Sequence, residues 1–165
     1  MTGRPAAAPT EDDIERKTRS VFYHVCFVVP DIEKAMEDLG GAVDVEWSGI
    51  LEDSLGEWDY RLAFSRGGPP YLELVQGPPG SPWDSSRGAR CHHLGFWTEN
   101  VMESSLRLSK EGFEREFSAC PLGRPYVYHM VKSIGVSLEL MDITRQEKFL
   151  DTWDPGAEPM SAFDG

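Results

Sequence analysis

Tyr23-His24-Val25-Cys26-Phe27 and His92-His93-Leu94-Gly95-Phe96 decide the reading of this chain. Laid over one another they put His24 on His93, an offset of 69 residues (93 − 24). A second pair, Tyr71-Leu72-Glu73-Leu74-Val75 and Ser137-Leu138-Glu139-Leu140-Met141, puts Glu73 on Glu139 at an offset of 66 (139 − 73). Four strand-like segments thus form two matched pairs, and each contributes one polar residue able to hold a metal ion. Alternate side chains of a strand share a face, so His24 is expected with Cys26 and Val28, opposite Tyr23, Val25, Phe27 and Val29. Glu73 and Glu139 each interrupt a strand whose leucines seek burial. A lone buried carboxylate is costly, and pairing it with a cation is one of few stable outcomes.

Outward from these segments the order of elements also repeats. Residues 21–29 are β-branched and aromatic up to Pro30, which predicts a buried strand. Asp31 is suited to cap a helix over 32–39 that Gly40 and Gly41 close, and strands follow at 43–47, 59–65 and 71–76. Prolines, glycines and serines mark a linker at 78–90. Then come a strand at 91–97, a helix at 101–112 and strands at 113–117, 126–132 and 137–141. Two βαβββ modules, 20–77 and 91–143, are therefore expected within one domain, 20–143. A flexible N-terminal tail, 1–19, should precede it, and a C-terminal tail, 144–165, with a short helix at 144–150, should follow.

With 165 residues the two modules must share one core. Sixteen Lys and Arg stand against 28 Asp and Glu, a net charge of −12 with no basic stripe, which argues against nucleic-acid binding. No long apolar run, signal segment or lipidation motif occurs, so no membrane association is expected and the location is read as cytoplasmic. Three cysteines, Cys26, Cys91 and Cys120, form no CxxC pattern and suit a reducing compartment.

Two imidazoles and two carboxylates make a mixed N/O donor set for one divalent ion: Zn, Ni, Co, Mn or Fe. The competing reading is that each histidine is a hydrogen-bonded core residue and each glutamate faces water. Recurrence in register favours His24, Glu73, His93 and Glu139 as ligands. His92 aligns with Tyr23 and is expected to pack behind the sheet or face solvent. His129 is read as a core hydrogen-bonding residue. Cys26 and Cys91 suggest a rival Cys/His zinc site, but side chains two apart on a strand are separated by about 6.6 Å, against zinc–ligand bonds of about 2.0–2.3 Å.

Over roughly residues 21–143 the chain resembles the vicinal oxygen chelate superfamily, which includes glyoxalases, methylmalonyl-CoA epimerase, extradiol dioxygenases and bleomycin resistance proteins. The resemblance is carried by His24-Val25-Cys26-Phe27-Val28-Val29-Pro30-Asp31, Tyr71-Leu72-Glu73-Leu74-Val75, Gly88-Ala89-Arg90-Cys91-His92-His93-Leu94-Gly95-Phe96 and Gly135-Val136-Ser137-Leu138-Glu139-Leu140. It implies an α+β fold whose paired βαβββ modules form a cupped, mixed β-sheet around one metal ion. It also implies ligands at His24, Glu73, His93 and Glu139, with Glu139 or Glu73 as the catalytic base. Val131-Lys132-Ser133-Ile134-Gly135 stands where glyoxalases carry an Asp-Pro-Asp-Gly turn, and Glu73 where the epimerase commonly has Gln. The expected activity is a metal-dependent isomerase, epimerase or lyase that chelates a substrate carbonyl and stabilises an enolate. The alternatives are an Fe(II)-dependent dioxygenase and a non-catalytic, antibiotic-like small-molecule binder. Expected partners are a small carbonyl compound, either a CoA thioester or a natural-product intermediate, and a second copy of the chain in a homodimer.

Overall fold

Local sequence sets each half of the repeat. A computed structural model of the protein describes residues 20–160; the expected N-terminal tail lies outside the described residues. Strand β1 (Ser20–Val28) ends before Asp31, whose carboxylate accepts the Lys34 N–H at 2.9 Å and starts helix α1 (Ile32–Val43). Strand β5 (Arg90–Thr98) ends before Asn100, whose side chain accepts the Glu103 N–H at 3.0 Å and starts α2 (Val101–Lys110). Equivalent caps in equivalent places satisfy helix N–H groups that would otherwise lack a partner. The remaining strands are β2 (Leu51–Leu55), β3 (Trp58–Phe64) and β4 (Tyr71–Gln76) in the first module. The second module has β6 (Arg115–Ser118), β7 (Tyr126–Val131) and β8 (Val136–Asp142).

The strands build one mixed eight-stranded sheet in the order β2-β3-β4-β1-β5-β8-β7-β6. Each module pairs its first and last strands in parallel, β1 with β4 and β5 with β8, and the modules join through antiparallel β1 and β5. The order is palindromic with respect to the repeat, and the sheet curls into a half-barrel. Arg124 Nη2 donates to both Asp53 oxygens at 2.9 and 2.8 Å, tying the loop before β7 to the edge strand β2.

The first module departs from expectation. Residues 43–47 are not a strand: α1 runs through Gly40 and Gly41 and stops at Asp44, which takes the left-handed conformation (φ 54°) while its N–H reaches the Gly40 carbonyl. Trp47 makes only an isolated bridge to Ser65, and its indole donates to the Met36 carbonyl at 3.2 Å. The strand in question is β2, hidden from a hydrophobic reading because it lies at the sheet edge with Glu52 and Ser54 exposed. Beyond β8, helix α3 (Gln146–Trp153) buries Phe149, Leu150 and Trp153 against Tyr23, Phe64, Tyr71 and Trp97, and Met160 joins the same cluster. Asp154 fastens the end of α3 by accepting from Gly67 N–H and the Tyr71 hydroxyl at 3.0 and 3.2 Å. Among the described residues no helix is long and apolar enough to cross a membrane.

Candidate metal centre

Register across β4, β1, β5 and β8 brings the four polar residues together. One row reads His24–Gly95–Glu139 across β1, β5 and β8; the next reads Glu73–Cys26–His93 across β4, β1 and β5. Each histidine and its glutamate stand two strands apart, with a small residue between them. Gly95 and Cys26 hold the same place in the repeat. A Cβ on Gly95 would lie 1.9 Å from His24 Cε1, so the imidazole occupies the space that any other residue would fill.

The donor atoms converge. His24 Nε2 and His93 Nε2 are 2.9 Å apart, and Glu73 Oε2 lies 3.1 and 3.2 Å from them. Glu139 stands slightly further off, 3.7 Å from His24 Nε2 through Oε2 and 3.9 Å from His93 Nε2 through Oε1. Both imidazoles are 1 % exposed, and both carboxylates are buried. Glu73 Oε2 makes no well-directed hydrogen bond, and neither does His24 Nδ1. A buried, charged oxygen without a hydrogen bond is stable only where positive charge stands beside it. Burial acts to raise the Glu73 pKa, but the two adjacent imidazoles outweigh it and hold the carboxyl well below the usual range. For His93 burial disfavours the charged ring, and the nearby Glu139 and Glu73 reverse that and raise its pKa.

Two β-bulges add groups that strand alternation would send elsewhere. Between β1 and β5 the register slips at Tyr23, an extra residue opposite the Phe96/Gly95 step, and again at His92, an extra residue opposite the Cys26/Phe27 step. A bulged residue escapes simple alternation. The Tyr23 hydroxyl consequently donates to Glu139 Oε2 at 3.2 Å, against the expectation that it points away from His24. Burial first, then the charges of Glu139 and Glu73, push the Tyr23 phenol well up and keep it a donor. His92 neither packs idly behind the sheet nor faces solvent: its Nε2 lies 2.8 Å from the Pro82 carbonyl and its Nδ1 2.8 Å from His93 Nδ1. A carbonyl only accepts, so His92 Nε2 carries the hydrogen and its Nδ1 accepts from His93 Nδ1–H. The lone pair of neutral His93 then sits on Nε2, facing His24 and Glu73. Burial, then the neighbouring His93 ring, lowers the His92 pKa to about 4, in keeping with a neutral acceptor. The only sequence trace of both bulges is that Tyr23 and His92 align, each one residue before a matched histidine.

His129 hydrogen-bonds in the core, with Nδ1 3.0 Å from the Phe113 carbonyl and Nε2 2.8 Å from Ser105 Oγ. Cys26 approaches His92 and His93 closely enough for one donor atom of each to lie within 4.8 Å of the others, but both histidine Nδ1 atoms there are already engaged with each other. Burial and then Glu73 push the Cys26 thiol well up, which disfavours the thiolate that metal binding needs. His24, His93 and Glu139 form the other such group.

Comparison with known proteins identifies the family and the fold. A family model described as the Glyoxalase/Bleomycin resistance protein/Dioxygenase superfamily matches residues 23–128. No protein of curated function matches the chain. Among solved structures, a variant of Streptomyces coelicolor methylmalonyl-CoA epimerase in complex with 2-nitronate-propionyl-CoA superposes with a TM-score of 0.57 at 19% identity, covering 74% of this chain and 96% of that one. The Mycobacterium tuberculosis epimerase gives 0.52 at 16% identity, with 74% and 87% covered. A variant of 4-hydroxymandelate synthase from S. coelicolor gives 0.55 at 15% identity; the match covers 75% of this chain but only 48% of the synthase, about half its length. At these identities the likeness is one of fold.

Proposed function

Because the chain belongs to the glyoxalase/bleomycin resistance protein/dioxygenase superfamily, we propose that it is a divalent-metal-dependent isomerase, epimerase or lyase acting on a small carbonyl compound. The observation that carries this reading is the meeting of His24 Nε2, His93 Nε2 and Glu73 Oε2 within 3.2 Å of one another, in a buried site where Glu73 Oε2 has no hydrogen bond. His24, Glu73, His93 and Glu139 are the residues that would hold the ion. Two neutral nitrogens and two carboxylates balance a divalent charge and suit Zn, Ni, Co, Mn or Fe. When bound, such an ion supplies Lewis-acid polarisation that stabilises an enolate by several kcal/mol.

The chain's own groups account for the proton. Glu139 or Glu73 accepts the hydrogen on the carbon next to the substrate carbonyl. Tyr23 occupies Glu139 Oε2 and orients that carboxylate, leaving Oε1 to receive the proton. Two measurements test the reading in sequence. Metal analysis of purified protein should find one divalent ion per chain, lost in His93→Ala; protein that neither holds nor takes up an ion would instead support the small-molecule binder. Glu73→Gln and Glu139→Gln should then stop deuterium incorporation from D₂O at the substrate carbon, and retained exchange in both variants would overturn the assignment of the base. The reading carries with it a homodimer, which light scattering measures directly.

One observation favours a second reading. His24, His93 and Glu139 form a group of their own, the two-histidine, one-carboxylate set that Fe(II) oxygenases use. Turnover that persists without O₂ excludes it, and turnover abolished by anaerobiosis selects it.

A further inference from the structure

The hollow of the half-barrel is a cavity of about 560 Å³ whose lining includes Glu73 and Glu139. Its volume falls within the range of about 300–1,000 Å³ typical of sites that enclose a drug-sized ligand, and a three-carbon acyl group would leave most of it empty. The walls are aromatic. Tyr60, Trp83, Tyr126 and Tyr128 come from the modules and the linker, while Phe149 and Trp153 come from α3. These rings are held in place. The Trp83 indole donates to the Tyr128 hydroxyl at 2.9 Å and lies 4.4 Å from the Tyr60 ring, and Phe149 packs edge-on to Tyr23 and Phe64 at 5.5 and 4.9 Å. Fixed aromatic walls favour a flat ligand, because stacking needs no reordering of side chains. Helix α3 follows the second module and adds its share of the wall from outside the two βαβββ modules.

Charge at the same cavity adds a second, independent indication. Of the three cations in the lining, Arg124 is neutralised by Asp53. Arg145 and Lys148, one turn apart at the start of α3, are exposed and make no ion pair among the described residues. Among the described residues they are the two lining cations without an ion pair, and they stand beside aromatic walls in a chain of net charge −12. We infer that the cavity receives a planar aromatic or polycyclic carbonyl compound bearing an acidic group, its rings among Tyr60, Trp83, Phe149 and Trp153 and its acid facing Arg145 and Lys148. This rests on the metal-dependent reading above, which supplies the partner for the carbonyl.

The test uses the full chain loaded with zinc, with bound metal measured on the same sample, and three probes followed by quenching of tryptophan fluorescence: anthraquinone-2-carboxylate, its methyl ester and methylmalonyl-CoA. The carboxylate should bind most tightly and the thioester least. Reversing the charge at the exposed positions, Arg145→Glu with Lys148→Glu, should weaken the carboxylate by about fivefold, as for loss of exposed ion pairing, and leave the ester unchanged. Tighter binding of methylmalonyl-CoA, or equal effects of charge reversal on acid and ester, would overturn the inference. A zinc-loaded protein that leaves both anthraquinones free overturns it while the metal centre stands. Conversely, a protein that binds them but holds no metal upholds the cavity assignment and removes the metal-dependent reading.

Discussion

Gly95 controls the candidate centre through what it lacks. Its α-carbon pairs with His24 on one side and Glu139 on the other, and the His24 imidazole lies where a side chain would be. Gly95→Ala should therefore displace His24, abolish stoichiometric metal binding in a calorimetric titration and lower stability by about 1–3 kcal/mol, the usual cost of overpacking. Unchanged metal affinity would show that His24 does not ligate. His92 acts at one remove, by fixing the hydrogen of His93 on Nδ1. His92→Phe keeps a ring in place but removes that acceptor, and the affinity for zinc should drop about 10- to 100-fold, the range for partners that orient ligating histidines. Nitrogen NMR of His93 in metal-free protein should show loss of the Nδ1–H tautomer in the same variant, a readout that misfolding alone would not mimic.

At the scale of elements, α2 and α3 are held in different ways. Helix α2 is fastened to β7 by Ser105 and His129, a buried polar link. Burial lowers the His129 pKa from about 6.5, helped by the charge of Arg115 and opposed by the Phe113 carbonyl. Below that value the unfolded chain takes up a proton that the folded chain resists, so this contribution to stability is complete above about pH 6.5 and declines as pH falls. His129→Gln should be less stable at neutral pH yet show a shallower loss from about pH 7 to pH 5 in urea denaturation; an unaltered slope would remove His129 as its source. Helix α3 is attached by apolar packing instead. Phe149 touches the rings of Tyr23, Phe64, Tyr71 and Trp97. Phe149→Ala should cost about 3–5 kcal/mol, read as a fall in the urea midpoint. A cost below about 1 kcal/mol would mean that α3 contributes little to the cluster.

For the whole molecule, the curled sheet turns a sequence repeat into a single centre, so metal and fold should be linked. An ion that binds only the folded chain stabilises it by RT ln(1 + [L]/Kd), about 2.7 kcal/mol at a hundredfold excess over Kd. Treatment with a chelator should lower the Tm by several degrees, zinc should restore it, and the same treatment of the His93→Ala variant should have no effect. Identical melting of chelated and zinc-loaded wild type would remove the ion from the fold's energetics.

Much of this is legible in the sequence alone. The repeat puts His24 on His93 and Glu73 on Glu139, and the capping residue Asp31 marks the first helix start, because periodicity and capping are local properties that short segments express by themselves. Other features were decided only by tertiary structure. The edge strand β2 shows no apolar alternation because one flank is solvated, and the short helix expected at 144–150 could not be matched to a docking place because its apolar face has meaning only against the cluster it covers. The bulges were equally hidden. A two-against-one mismatch belongs to a pair of strands, not to either sequence, and it is what turns Tyr23 toward Glu139 and His92 onto His93. The residues of the candidate centre were thus written in the sequence, whereas the groups that orient them, and the aromatic walls of the cavity, follow from how distant strands and α3 pack.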